Sequence, residues 1–270
     1  MDLRKLFAVA GRSAVITGGA SGIGFAISDI LSDQGAKVTV IDRDSARLES
    51  AVSRLAGREG PVRGAICDVT DPEGLRLAFE EAAAAQDGID IVFANAGIGP
   101  AGHGPRGLDG SRVPEGEIDS YDYEDWQKVL NVNLNGVFLT AREAARHMKK
   151  KGWGRLVLTS SVFAITNPTW VGIPYVVSKI GVAHLMRNLA AELAPNGITV
   201  NAIAPGPFET EIGNGSMHDP NVRNAVGGVV PLGRVGQADE MMGLALFLAS
   251  TASSYMTGAL LSIDGGLGIK

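Results

Sequence analysis

Ala14-Val15-Ile16-Thr17-Gly18-Gly19-Ala20-Ser21-Gly22-Ile23-Gly24, running on into the apolar-periodic stretch 25–32, is the segment on which the fold turns. A short β-branched run passes over glycines directly into a helical pattern, which predicts strand, glycine turn and helix. Glycines let the backbone come close to a pyrophosphate. The helix amino terminus offers it unpaired N–H groups and the positive end of a dipole. Gly18, Ser21, Gly22, Ile23 and Gly24 are therefore candidate phosphate-side residues. A glycine turn also serves purely structural ends, so the flanking chain must decide.

Working outward, short apolar or β-branched runs recur at 14–17, 38–41, 62–66, 89–94, 156–159, 199–203 and 260–263, with helix-length segments between them. That alternation predicts βαβ units. The expected fold is a single α/β domain over 1–270, a Rossmann-type, doubly wound parallel sheet of about seven strands with helices on both faces. Two stretches break the rhythm. Six glycines and three prolines fall within 98–120, predicting no regular element and reading as an inserted surface loop, with a lid or subunit contact as the alternative. A second irregular stretch, 205–236, is also rich in glycine and proline, and 207–235 is read as a substrate lid.

Bulk properties narrow the function. At 270 residues, 45% hydrophobic and 20% charged, the chain can bury a large core. A net charge of −5 gives no basic field for nucleic acid or an anionic membrane. The basic cluster 146–155 reads as a solvated helix end. Cys67 is the only cysteine, so no intrachain disulfide can form and a cytoplasmic setting is expected. The apolar stretch near the start is too short for a signal peptide, and the run 241–249 is too short to span a membrane. The four histidines show no ligand spacing, so no metal site is expected.

The second strand ends at Asp42, where a dinucleotide fold sets an acid against the adenosine ribose. A carboxylate there bonds the 2′-hydroxyl and repels the extra phosphate of NADP by about 4 kcal/mol at 4 Å and an effective dielectric of 20. Arg43 could instead reach for that phosphate, but no basic residue in the glycine turn would assist it. NAD is expected over NADP.

Tyr175 and Lys179 lie four apart at the start of a predicted helix, 175–193, and so share one face. A phenol of ordinary pKa near 10 needs a shift of several kcal/mol to work near neutrality, and a close lysine supplies energy of that order. With the glycine turn, this pair and Asn95-Ala96-Gly97, the chain resembles the short-chain dehydrogenase/reductase family. The resemblance runs through Cys67-Asp68-Val69, Trp126, Val132-Asn133-Leu134, Ser160-Ser161, Pro205-Gly206 with Thr210, and Asp264-Gly265-Gly266.

The resemblance implies Tyr175 as general acid or base and Ser161 holding the substrate oxygen. It also implies Lys179 bonding the nicotinamide ribose and Asn133 completing a water relay. Asp68 and Val69 should meet the adenine, Asn95, Ala96 and Gly97 the adenosine side, and Pro205, Gly206, Phe208 and Thr210 the nicotinamide. Family serines usually stand 13 residues before the tyrosine, a position held here by Val162. Ser161, 14 residues away, is preferred to Ser160, with one extra residue in 166–174.

The implied activity is hydride exchange between NAD and a secondary alcohol or ketone, with an NADP-dependent ketone or 3-oxoacyl reductase as the alternative. A non-catalytic NAD-sensing module would have little reason to keep all four catalytic positions. Sugar-nucleotide epimerases share the tyrosine and lysine but usually carry a differently spaced glycine turn, and no G-x-S-x-G elbow supports a hydrolase. The uncharged wall between Ser161 and Tyr175 points to an apolar or weakly polar substrate part. A homo-oligomer, with a tetramer favoured, is also implied.

Overall fold

The structure is a computed structural model, and it describes residues 3–99, 104–212 and 215–269. After a single helical turn, α1 (Leu3–Leu6), the elements run β1 (Ser13–Thr17), α2 (Gly22–Asp33), β2 (Lys37–Asp42), α3 (Ser45–Leu55), β3 (Val62–Ile66), α4 (Pro72–Gln86) and β4 (Ile91–Ala94). The second half runs α5 (Tyr123–Leu130), α6 (Gly136–Lys151), β5 (Gly154–Thr159), α7 (Ile173–Leu193), β6 (Ile198–Pro205), α8 (Pro220–Val229), α9 (Met242–Ala249) and β7 (Leu260–Ile263).

The strands form one seven-stranded sheet in the order β3-β2-β1-β4-β5-β6-β7, every pairing parallel. Successive residues of a strand point to opposite faces, and both faces here are dry. Val15 enters one core with Val92, Leu156 and Met186, while its neighbours Ala14 and Ile16 enter the other with Phe93, Val157 and Leu248. Continuous apolar strands are the sequence signature of that double burial.

The order reverses between β1 and β4, which opens a crevice at the carboxyl ends of those strands. Helices are launched from the crevice rim by capping acids. Asp44 accepts from the Arg47 N–H, Asp71 from Glu73 with Pro72 in the first turn, and Asp122 from Glu124 and Asp125.

Three expectations need correction. Within the second supposedly irregular stretch lies the ten-residue helix α8, capped by Asp219 through the Asn221 N–H. It is held by burial of Val226, and its two glycines did not stop it forming. Part of 98–120 is also ordered. Arg106 and Arg112 bridge antiparallel, Val113 N–H donates to Pro105 O at 3.0 Å and Gly107 N–H to Ser111 O at 2.8 Å, making a small hairpin. Finally, Arg155 is no solvated helix end. It is 3% exposed in β5, its guanidinium donating to Ser250 O and Gly154 O and resting 4.4 Å from the Trp153 ring.

Candidate active site

The glycine turn leaves β1 at the reversal point. Gly18 has φ of +63°, and a Cβ there would fall 2.8 Å from Ala96 Cα, so the turn packs directly on the segment after β4. A Cβ on Gly24 would collide with the Gly18 carbonyl, and one on Gly22, at φ +51°, would sit 3.0 Å from the Thr210 side chain. The turn is thus closed on three sides by backbone and by Thr210. Ser21 occupies the N-cap of α2, yet its hydroxyl makes no capping bond, and the first turn carries no acid. A half-buried cap hydroxyl without a capping bond, orphan N–H groups and an uncompensated dipole end suit a dinucleotide pyrophosphate.

Asp42 ends β2 at the same rim. Its carboxylate accepts from Ala20 N–H at 3.3 Å and Asp44 N–H at 3.2 Å, which fixes it against the turn. Arg43 pairs with Asp68 at 3.7 Å. Burial alone would raise the Asp68 carboxyl, but bonds from the Thr70 N–H and hydroxyl, together with Arg43, hold it below the usual carboxylate range. Beside it, Val69 is buried against the position a Gly136 side chain would take.

Asn95 has local work that sequence reasoning missed. Its amide donates to Gly18 O at 3.3 Å and its carbonyl accepts from Thr159 at 3.2 Å, tying the glycine turn to β5. Pro205 ends β6 and Gly206 follows it, pressing on Asp264, where a Cβ would fall 2.7 Å from its Cα. Phe208, by contrast, turns its ring inward onto Gly236 and is 6% exposed, so only its backbone remains for a ligand.

The reactive groups meet at the ends of β4 and β5. Ser161 Oγ accepts the Phe163 N–H at 3.2 Å, donates to Pro205 O at 3.5 Å and stands next to the Tyr175 side chain, whose phenol it lowers. Ser160 points the other way, donating to Lys179 O at 2.8 Å, so the two candidate serines are separated by direction. Tyr175 and Lys179 sit in the first two turns of α7, and Lys179 Nζ lies 5.6 Å from the Tyr175 ring centroid while donating to Thr159 O at 3.0 Å.

Burial raises the Tyr175 phenol, and the neighbouring Ser161 hydroxyl offsets part of that rise. Burial pushes the Lys179 ammonium down to about 8. Each group's charge is thus disfavoured by the packing, while a lysine cation favours a phenolate beside it.

Asn133 lies in a π-helical turn, Asn131–Asn135, between α5 and α6, and is wholly buried. Its Oδ1 accepts from Ile98 N–H at 2.8 Å and its Nδ2 donates to Ile98 O at 3.0 Å. Asn133 Oδ1 and Lys179 Nζ face the same point, 3.2 and 3.6 Å from where a Gly97 side chain would begin. A polar residue in the middle of a helical stretch is explained by that pairing.

The root of the 207–235 segment is tied down by Glu209, which accepts from Arg223 and from Gln237 at 2.9 Å each. Among the described residues, no group of three or more His, Cys, Asp or Glu side chains could hold a metal, and no helix is long and apolar enough to cross a membrane.

Comparison with known proteins agrees with this geometry. Residues 18–268 match a family whose sequence model is described as Enoyl-(Acyl carrier protein) reductase. The chain is 36% identical over 269 residues to galactitol 2-dehydrogenase (L-tagatose-forming) of Cereibacter sphaeroides, covering 98% of each. A short-chain type dehydrogenase/reductase from Mycobacterium marinum superposes with a TM-score of 0.87 at 35% identity, over 98% of this chain and 99% of the other. A gluconate 5-dehydrogenase from Burkholderia cenocepacia, solved with NADP and tartrate, gives 0.86 at 33% identity over 100% of both chains. The seven-stranded parallel sheet, the glycine turn and this likeness over nearly the whole length place the chain in the short-chain dehydrogenase/reductase family of NAD(P)-binding oxidoreductases.

Proposed function

We propose that the protein interconverts a secondary alcohol and its ketone with NAD, Tyr175 exchanging the hydroxyl proton. The observation that carries this reading is the meeting of three groups at one floor: the Ser161 hydroxyl next to Tyr175, with Lys179 buried beside the ring. A bound nicotinamide would supply or accept the hydride. Ser161, its oxygen oriented by the Phe163 N–H, holds the substrate oxygen next to Tyr175. In reduction Tyr175 donates its proton to the developing alkoxide, and in oxidation it accepts the alcohol proton. Lys179 stabilises the phenolate and bonds the nicotinamide ribose, and Asn133 links it to a proton relay.

Gly18, Ser21, Gly22, Ile23 and Gly24 hold the pyrophosphate, with Thr210 against the turn. Asp68 and Val69 flank the adenine, and Asn95, Ala96 and Gly97 back the adenosine side. Pro205, Gly206 and the Phe208 backbone flank the nicotinamide, and 207–235 covers the substrate.

NAD is favoured because Asp42 is pinned at the ribose rim by two backbone bonds while Arg43 is drawn to Asp68. The second reading, an NADP-dependent reductase, has Arg43 itself and the NADP-bound gluconate dehydrogenase in its favour. Initial rates with both cofactors separate them, and a higher kcat/KM with NADP overturns the NAD assignment. We further propose a homo-oligomer, a tetramer, since Phe138, Val177 and Ile180 leave apolar surface on α6 and α7, and a cytoplasmic setting, with which the single cysteine agrees.

A further inference from the structure

The chain between Ser161 and Tyr175 reads Val162-Phe163-Ala164-Ile165-Thr166-Asn167-Pro168-Thr169-Trp170-Val171-Gly172-Ile173-Pro174, with no charged side chain. Within it the Phe163 ring stands 6.5 Å from that of Tyr175, inclined at 70°, and Trp170 meets Phe163 edge-on at 5.1 Å and 90°. All three residues are only partly buried. Tyr175, Phe163 and Trp170 therefore form a row of three rings. Two polar groups along it are spent locally, the Thr166 hydroxyl donating to Val162 O at 3.1 Å and the Phe163 N–H taken by Ser161, while Asn167 and Thr169 are exposed.

This wall does not stand alone. The Arg106 N–H of the small hairpin donates to Thr169 O at 3.0 Å, next in sequence to Trp170. Gly104 lies so close that a Cβ there would collide with the same Thr169 carbonyl. Glycine at 104 is what allows the hairpin to seat, and the seat fixes the backbone that carries Trp170.

Resting on the dehydrogenase reading, we infer that Phe163 and Trp170, braced by the 104–113 hairpin, select a neutral alcohol or ketone with a compact apolar ring or branched alkyl body. Polyols and sugar acids are the disfavoured class. An aromatic row rewards apolar area and offers nothing to extra hydroxyls, each of which loses about tenfold in transition-state affinity when it is desolvated without a partner. Trp170 contacts the body of the substrate and sets KM. The hairpin is a positioning device that never touches substrate.

The test compares cyclohexanol, 2-propanol, sorbitol and gluconate on wild type, Trp170→Ala, Trp170→Phe and Gly104→Ala, each with NAD and with NADP, folding being checked by circular dichroism. Wild type is expected to favour cyclohexanol over sorbitol and gluconate by about 100-fold in kcat/KM. Trp170→Ala should raise KM for cyclohexanol about tenfold with little change in kcat, leave 2-propanol within about twofold, and be largely rescued by Trp170→Phe. Gly104→Ala should reproduce the KM effect in direction, with cofactor affinity unchanged.

Preferred turnover of sorbitol or gluconate overturns the inference while leaving the dehydrogenase reading standing. Equal loss on cyclohexanol and 2-propanol in Trp170→Ala overturns it as well. Failure of every alcohol, and of the corresponding ketones in reverse, with either cofactor removes the dehydrogenase reading and this inference with it.

Discussion

Replacing Lys179 by methionine keeps an unbranched chain of similar length and removes one buried charge. Lys179 is 3% exposed, and burial pushes it down to about 8 from an ordinary 10.5. Between those values the unfolded chain holds a proton that the folded one has released, so this residue makes stability rise with pH. Below the folded value both states carry the charge, and the native state bears the whole cost of a buried ammonium. Above the unfolded value neither does.

Each tenfold change in proton affinity is worth about 1.4 kcal/mol, so the full rise is about 3 kcal/mol, of which about 2 falls between pH 7.5 and pH 10. Cys67 acts in the opposite sense. Burial, then Asp71 and Asp68, push its thiol up from 9.0 to about 11, so the folded state keeps a proton that the unfolded chain loses. Its contribution cancels when Lys179→Met is subtracted from wild type, and so does the pH-independent loss of the bond to Thr159. Urea unfolding without cofactor, followed by circular dichroism across that range, should show wild type gaining about 2 kcal/mol on the variant as pH rises. Parallel profiles would refute the claim that the folded state holds this lysine against its charge.

The remaining predictions concern single contacts. Gly24→Ala places a Cβ into the Gly18 carbonyl, and should abolish measurable dinucleotide binding by fluorescence titration while lowering stability by about 1–3 kcal/mol. Asp42→Asn should raise the NADP to NAD ratio of kcat/KM by about 100-fold, and an unchanged ratio would show that Asp42 does not read the ribose. The two serines should divide by function. Ser161→Ala should cost at least about 100-fold in kcat, whereas Ser160→Ala, whose hydroxyl serves Lys179 O, should cost about 1 kcal/mol of stability with kcat nearly kept. Sedimentation velocity should show a particle larger than a monomer, and a monomer at assay concentration contradicts the proposed tetramer.

The seven strands were legible because a parallel sheet buried on both faces writes itself as short continuous apolar runs, and the candidate site residues were picked out because several of them stand at strand ends. Tyr175 and Lys179 share a helix face by spacing alone. Other features depend on contacts remote in sequence. Helix α8 was hidden by Gly227 and Gly228, although Asp219-Pro220 is a start signal of the kind that launches α4 from Asp71-Pro72. The 104–113 hairpin forms against Thr169, which no local pattern around Gly104 foretells. Arg155 belongs to a run of cations in sequence but lies buried in the inner strand β5, held by carbonyls and by Trp153. Asn133 announced itself as an anomaly, and its partner, the backbone of Ile98, lies 35 residues away.

In the proposed reaction Tyr175 moves the proton while the neighbouring groups hold substrate and cofactor. Tyr175→Phe removes one hydroxyl from that floor and leaves the ring beside Phe163. Measured on the best substrate of the panel, together with the cofactor dissociation constant, the variant should lose at least about 1,000-fold in kcat and keep its cofactor affinity within about threefold. A variant that turns over within tenfold of wild type would contradict the assignment of Tyr175 as the acid and base.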